Sequence, residues 1–143
     1  MYSSSSTVAS EAEATRQDAV VGRYARAGLV AGVAAAAANT GIAGLVRLFD
    51  VTLEAKGKQF PSLAFAQVTL FAAILGVGLA AGLVRRARTP RHTFIVTTVG
   101  LTVLSLVPPV LIGASAATVV VLEIMHIVAA LVVIPPIAER LAD

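Results

Sequence analysis

The 143-residue chain contains no cysteine and no tryptophan. The first absence removes disulfides, thiolate metal sites, iron–sulfur clusters and cysteine nucleophiles together. Charge is scarce as well, since Asp, Glu, Lys and Arg make up 13% of the residues against roughly 25% in a soluble domain. Hydrophobic residues reach 57%, above the usual range of about 45–50%, and no soluble fold of this length hides so much apolar surface. Amphipathic periodicity is also missing. The polar residues collect in an N-terminal segment and in the junctions between long apolar runs, a pattern of spans and loops. The formal net charge of +3 does not point to nucleic acid, because the arginines flank the apolar runs, where basic residues set topology and meet anionic lipid. The expected partner is the lipid bilayer.

Four apolar runs cover residues 27–48, 63–84, 93–112 and 117–138. Each is close to the roughly 20 residues that a helix needs to cross the hydrocarbon layer. Backbone polar groups in lipid must be satisfied within the segment, and the runs are too long and too evenly apolar for barrel strands. The expected fold class is therefore all-α, a four-helix transmembrane bundle over residues 23–143. Residues 1–22, with Ser3 to Ser6 and mixed charges at Glu11, Glu13, Arg16 and Asp18, read as a disordered or partly helical cytoplasmic tail. Acids ahead of the first apolar run make this a poor secretory signal.

Arg23, Arg26, Arg85, Arg86, Arg88, Arg91 and Arg140 all fall on one side of the four-span arrangement. The other side carries Lys56 and Lys58, diluted by Asp50 and Glu54, with Arg47 at the end of the first run. The positive-inside rule then places both termini and the Arg85–Arg91 loop in the cytoplasm, with residues 49–62 and 113–116 facing outward. Pro108 and Pro109 are expected to kink or end the last turn of span three, and Pro135 and Pro136 to act similarly at the end of span four.

Span one carries a small residue at every fourth position, Gly28, Gly32, Ala36, Thr40 and Gly44, and span two a shorter pair, Gly78 and Gly82. Such strips let helix backbones approach closely. They serve either packing within the chain or a homodimer interface. Four polar or ionisable residues lie at membrane depth: Asn39 and Arg47 in span one, Glu123 and His126 in span four. At about 1.5 Å per residue, Asn39 and His126 are both about 18 Å from the arginine-rich ends of their spans. This predicts an Asn39–His126 hydrogen bond and an Arg47–Glu123 pair joining spans one and four. The group either fastens the two helices or forms a proton relay with Glu123 as carrier and His126 as its neighbour.

Glu123 and His126 at i, i+3 can share a metal, but no His, Cys, Asp or Glu in the other spans completes a site, so no metal, haem or other cofactor is expected. No phosphate loop, nucleophile elbow or nucleophile–base pair appears, and the chain is not expected to be an enzyme. The arginines at 85, 86, 88 and 91 set topology or hold an anionic lipid head group.

Three features occur in order: the arginine-rich loop opening span three, Leu104-Ser105-Leu106-Val107-Pro108-Pro109 closing it, and Met125-His126-Ile127-Val128-Ala129-Ala130 leading to Ile134-Pro135. In these the chain resembles a family of short, uncharacterised four-span membrane proteins common in actinobacteria. The resemblance implies the architecture and a bacterial inner membrane, and no activity. The small multidrug exporters are a different four-span class. They place an essential acid in the first helix, where this chain has none. Two functions stand as expectations: a structural or accessory subunit, with a homo-oligomer or another membrane protein as partner, and a small proton-coupled transporter using Glu123 and His126.

Overall fold

The computed structural model describes residues 4–141. Its elements are α1 (Ser4–Leu48), β1 (Glu54–Ala55), β2 (Lys58–Gln59), α2 (Ser62–Arg86), α3 (Pro90–Ser105), α4 (Val107–Leu111) and α5 (Ala116–Ala138). Four helical segments are long and apolar enough to cross a membrane: Val21–Leu48, Ser62–Arg86, Pro90–Leu111 and Ala116–Ala138. They match the four apolar runs, and the chain is an all-α transmembrane bundle. α1 is longer than the sequence suggests. At about 1.5 Å per residue its 45 residues extend roughly 67 Å, about twice the hydrocarbon thickness. The helix thus continues through residues 4–20, so the described part of the expected tail is helical; residues 1–3 lie outside the described residues.

Pro108 and Pro109 lack the N–H groups that would bond back to Leu104 and Ser105, and the third span breaks there into α3 and α4. Leu106 N–H turns instead to the Val103 carbonyl at 3.2 Å. Pro135 and Pro136 fall inside the last turn of α5, which ends at Ala138. The Arg140 guanidinium donates to the Pro136 carbonyl at 2.7 Å, satisfying one of the free carbonyls that end a helix.

α1 packs against both α2 and α5, while α3 packs against α5 and α2 from across the bundle. Two apolar clusters close the ends. Tyr24, Ala80, Phe94, Ile137, Ala138 and Leu141 fill the arginine-rich end, and Ala43, Leu53, Val121 and Met125 fill the other. Large side chains such as Val30, Phe71, Leu104 and Leu131 point outward. That pattern suits a bilayer, whose acyl chains are as apolar as the side chains they meet.

The connection expected as a plain loop is a two-stranded hairpin, with Glu54 opposite Gln59 and Ala55 opposite Lys58. Its two turn residues, Lys56 and Gly57, both have positive φ, 51° and 73°, as a type I′ turn requires. The hairpin folds back over the bundle end. Glu54 N–H donates to Thr118 Oγ1 at 3.0 Å, and Thr118 is fully buried at the start of α5. Ser115 caps that helix, accepting from the Thr118 N–H.

Candidate functional site

Only part of the small-residue strip on α1 is a packing surface. Gly28 and Gly32 are: a Cβ at Gly28 would collide with Val77 and press on Ile137, and one at Gly32 would lie 2.6 Å from the Ala73 Cβ. Ala36 is buried. Thr40 is half-buried, its hydroxyl donating to the Ala36 carbonyl at 2.8 Å. A Cβ at Gly44, Gly78 or Gly82 would meet nothing within 4 Å, so of the two uses expected for the strips, packing within the chain holds for Gly28 and Gly32 and not for these three. The reason is geometric. A step of four residues overshoots a full turn by about 40°, so Gly44 points roughly 160° away from Gly28. The surface that packs runs in steps of four, three, four and four through Gly28, Gly32, Ala35, Asn39 and Ala43, all of them buried.

Asn39 does not bond to His126. Its Nδ2 donates to Thr69 Oγ1 on α2 at 3.0 Å, and the Thr69 hydroxyl donates in turn to the Phe65 carbonyl at 2.7 Å. Because that hydroxyl proton is committed to a carbonyl, Thr69 can only accept from Asn39, which fixes the amide orientation. Asn39 Oδ1 is then buried with no partner. The Nδ1 of His126 bonds within its own helix, lying 2.6 Å from the Leu122 carbonyl. The two residues expected to bond to each other nonetheless line one cavity of about 260 Å³, shared with Phe60, Phe65, Thr69 and Met125.

The Arg47–Glu123 pair does not form either. Arg47 is exposed at the end of α1, and its guanidinium donates to Ser62 Oγ at 2.6 Å and to the Phe60 carbonyl. The hairpin brings both acceptors beside the last turn of α1. Glu123 meanwhile points the other way. Val121 and Met125 pack against Ala43 of α1, and a residue two positions from each lies about 200° around the helix. Glu123 is half-buried on that far flank of α5 and has no hydrogen bond or ion pair with the described residues. The unsealed state of its carboxylate follows from the same geometry, since neither oxygen is among the buried unpartnered atoms.

Thr69 escaped the sequence reading because a threonine in an apolar helix commonly bonds its own i−4 carbonyl and attracts no attention. A signal existed. Asn39 stands fifteen residues before Glu54 and Thr69 fifteen after it, and residues equidistant from the turn of an antiparallel helix pair reach the same height. Arg47 and Ser62 obey nearly the same symmetry. The hydroxyls of Thr98, Thr102 and Ser105 on α3 likewise donate to carbonyls of their own helix at 2.7–2.8 Å, which makes them tolerable in an apolar span.

Arg85, Arg86, Arg88 and Arg91 are all exposed around the short connection between α2 and α3, at the same end of the bundle as Arg23, Arg26 and Arg140. Among the described residues no three His, Cys, Asp or Glu side chains come together. No curated protein and no solved structure matches the chain. A family model does, over residues 19–143, which span all four apolar helices and every polar residue of the bundle interior. The chain belongs to that family, DUF6069, a family of unknown function.

Proposed function

We propose that this chain is an accessory subunit of a membrane assembly, seated in a bacterial inner membrane with both termini and the Arg85–Arg91 connection in the cytoplasm. The observation that carries the reading is Glu123. Its carboxylate lies at membrane depth, on the flank of α5 turned away from α1, without a donor among the described residues. An acidic side chain at a helix centre costs about 2.5–3.5 kcal/mol on insertion scales, and a donor from a helix of another chain offsets such a cost. The third span supports the same reading. In its most apolar window 11% of residues are buried, against 33% for the first span, so it has the most side-chain surface left for a neighbour. Other polar groups hold this chain together: Asn39 with Thr69 in the interior, and Arg47 with Ser62 at the end of the bundle, tie α1 to α2.

The competing reading is a proton-coupled transporter with Glu123 as carrier and His126 beside it; the accessible carboxylate is what favours it. One pair of measurements separates the two. An accessory subunit migrates in native gels of mildly solubilised membranes as part of a larger complex, and Glu123→Leu releases it with helical content unchanged. Reconstituted alone it moves no protons. Proton flux in proteoliposomes that Glu123→Gln abolishes would establish the transporter instead.

Orientation is testable because the chain has no cysteine of its own. In intact cells, a membrane-impermeant maleimide should label Lys58→Cys and leave Thr89→Cys unlabelled. The reverse pattern would invert the topology.

A further inference from the structure

We propose that the cavity between α2 and α5 binds a lipid-soluble molecule bearing a ring hydroxyl, a phenol or hydroquinone, through a hydrogen bond to His126 Nε2. The proposal is independent of the accessory-subunit reading and begins with the histidine. The Leu122 carbonyl, 2.6 Å from Nδ1, can only accept, so Nδ1 carries a proton and the neutral ring presents a lone pair at Nε2. Nε2 makes no hydrogen bond with the described residues and is not among the sealed polar atoms. Of the other polar residues of the cavity, Thr69 is committed to Asn39 and to the Phe65 carbonyl, and Asn39 keeps one unpartnered atom, the acceptor Oδ1. The cavity therefore offers an acceptor and asks for a donor.

Its walls select the rest of the ligand. Phe60, Phe65, Val68, Leu122 and Met125 make it apolar, and Phe60 meets Phe65 edge to face, with ring centroids 6.2 Å apart. Aromatic edges and a methionine sulfur favour a ring over a flexible chain. The volume of about 260 Å³ falls just below the roughly 300–1,000 Å³ that encloses a whole drug-sized ligand. It equals about nine water volumes at about 30 Å³ each, enough for one substituted ring. Val68 and Ala72 are exposed on the outer surface of α2, so the mouth opens sideways, where the remainder of a long molecule would lie among acyl chains. His126 stands ten residues from the start of α5 and twelve from its end, about 15 and 18 Å. A ligand head would thus be held near the middle of the bilayer, a depth that only a membrane-soluble molecule reaches.

The test uses the full chain in lipid nanodiscs with ¹⁵N-labelled histidine. There are two histidines, and His92, at the start of α3, serves as the reference. Trimethylhydroquinone should bind saturably and move the His126 Nε2 resonance while leaving His92 in place. Its dimethyl ether, which keeps the ring and is larger by two methyl groups but has no donor, should bind about tenfold more weakly, equivalent to about 1.4 kcal/mol. 4-Octylphenol distinguishes a phenolic lipid from a hydroquinone by which of the two binds tighter, and either order supports the site. 1-Octanol should bind at least tenfold more weakly than both. His126→Leu should lose the same tenfold. Ala129→Leu, which fills the cavity from its α5 wall, should lose it without touching the imidazole, so a folding defect in one variant leaves the other as a test. Equal binding of the ether, of 1-octanol or of both variants would overturn the proposal, as would non-saturable partitioning of every probe.

Discussion

Gly32→Leu is expected to lower the stability of the bundle by about 3 kcal/mol, the upper part of the usual range for overpacking a filled interior. The magnitude follows from what opposes the new side chain. A Cβ at Gly32 already stands 2.6 Å from the Ala73 Cβ, and a methyl carbon has no rotamer by which to withdraw. α1 and α2 would have to separate, and their separation would strain the Asn39–Thr69 bond two turns along the same interface. Gly28 is the gentler case, because Val77 and Ile137 carry side-chain ends that can turn aside. In lipid there is little hydrophobic drive holding two helices together, so close packing supplies much of their affinity. A loss of this size is a large share of the roughly 5–15 kcal/mol that separates folded from unfolded domains. Thermal unfolding in detergent, followed by circular dichroism, should show a clear fall in midpoint for Gly32→Leu. Gly44→Leu and Gly78→Leu should stay within about 0.5 kcal/mol of the starting protein. Equal midpoints for all three would mean that the backbones do not approach at Gly32.

That contrast among glycines of one apparent strip marks where linear reading stops. The sequence yields depth well. Bilayer thickness sets span length, charge marks the ends, and the four expected runs differ from the observed helices by a few residues except at the start of α1. Around the helix axis it yields less. A spacing of four looks like a straight line in the sequence, yet it winds about 40° per step, and this carries Gly44 from the packed face to an open one. The same limit undid the Arg47–Glu123 pair. Height along the bundle allows the pair, but Glu123 points about 200° from Val121 and Met125, the residues that face α1.

Two members of the candidate site, Asn39 and His126, are legible in the sequence, while Thr69 and the bonds are not. Asn39 and His126 do meet at one cavity, as their matched depths imply. Their hydrogen bonds go elsewhere because nearer partners exist: a threonine across the α1–α2 interface for one, a carbonyl one turn back for the other. Local carbonyls and hydroxyls are present in every helix and compete with the rarer polar residues for each donor. The hairpin was hidden for a related reason. Its strands are two residues each, too short for alternation to register, and the Lys56–Gly57 turn was its one local mark.

Leu53→Ala should produce the second large effect, a loss of about 2–5 kcal/mol. Leu53 lies between the end of α1 and the hairpin, yet it is fully buried, packed with Ala43 of α1 and with Val121 and Met125 of α5. The backbone around it is independently held, since its carbonyl accepts from the Phe60 N–H at 2.9 Å and Glu54 is tied to Thr118. Truncation should therefore leave a void rather than let the hairpin sink to fill it, and voids that cannot collapse are the costly ones. Leu48→Ala is the control. That residue is 81% exposed, and its loss should change stability by no more than about 0.5 kcal/mol. The void would also reach the cavity, because Met125 belongs to both the Leu53 cluster and the lining around His126. Freed on one side, its flexible thioether would sample more rotamers, and trimethylhydroquinone should bind Leu53→Ala more weakly even under conditions where the variant remains folded. Unchanged stability would show that the hairpin does not seal this end of the bundle. Lost stability with undiminished binding would show that the seal and the cavity are separate structures.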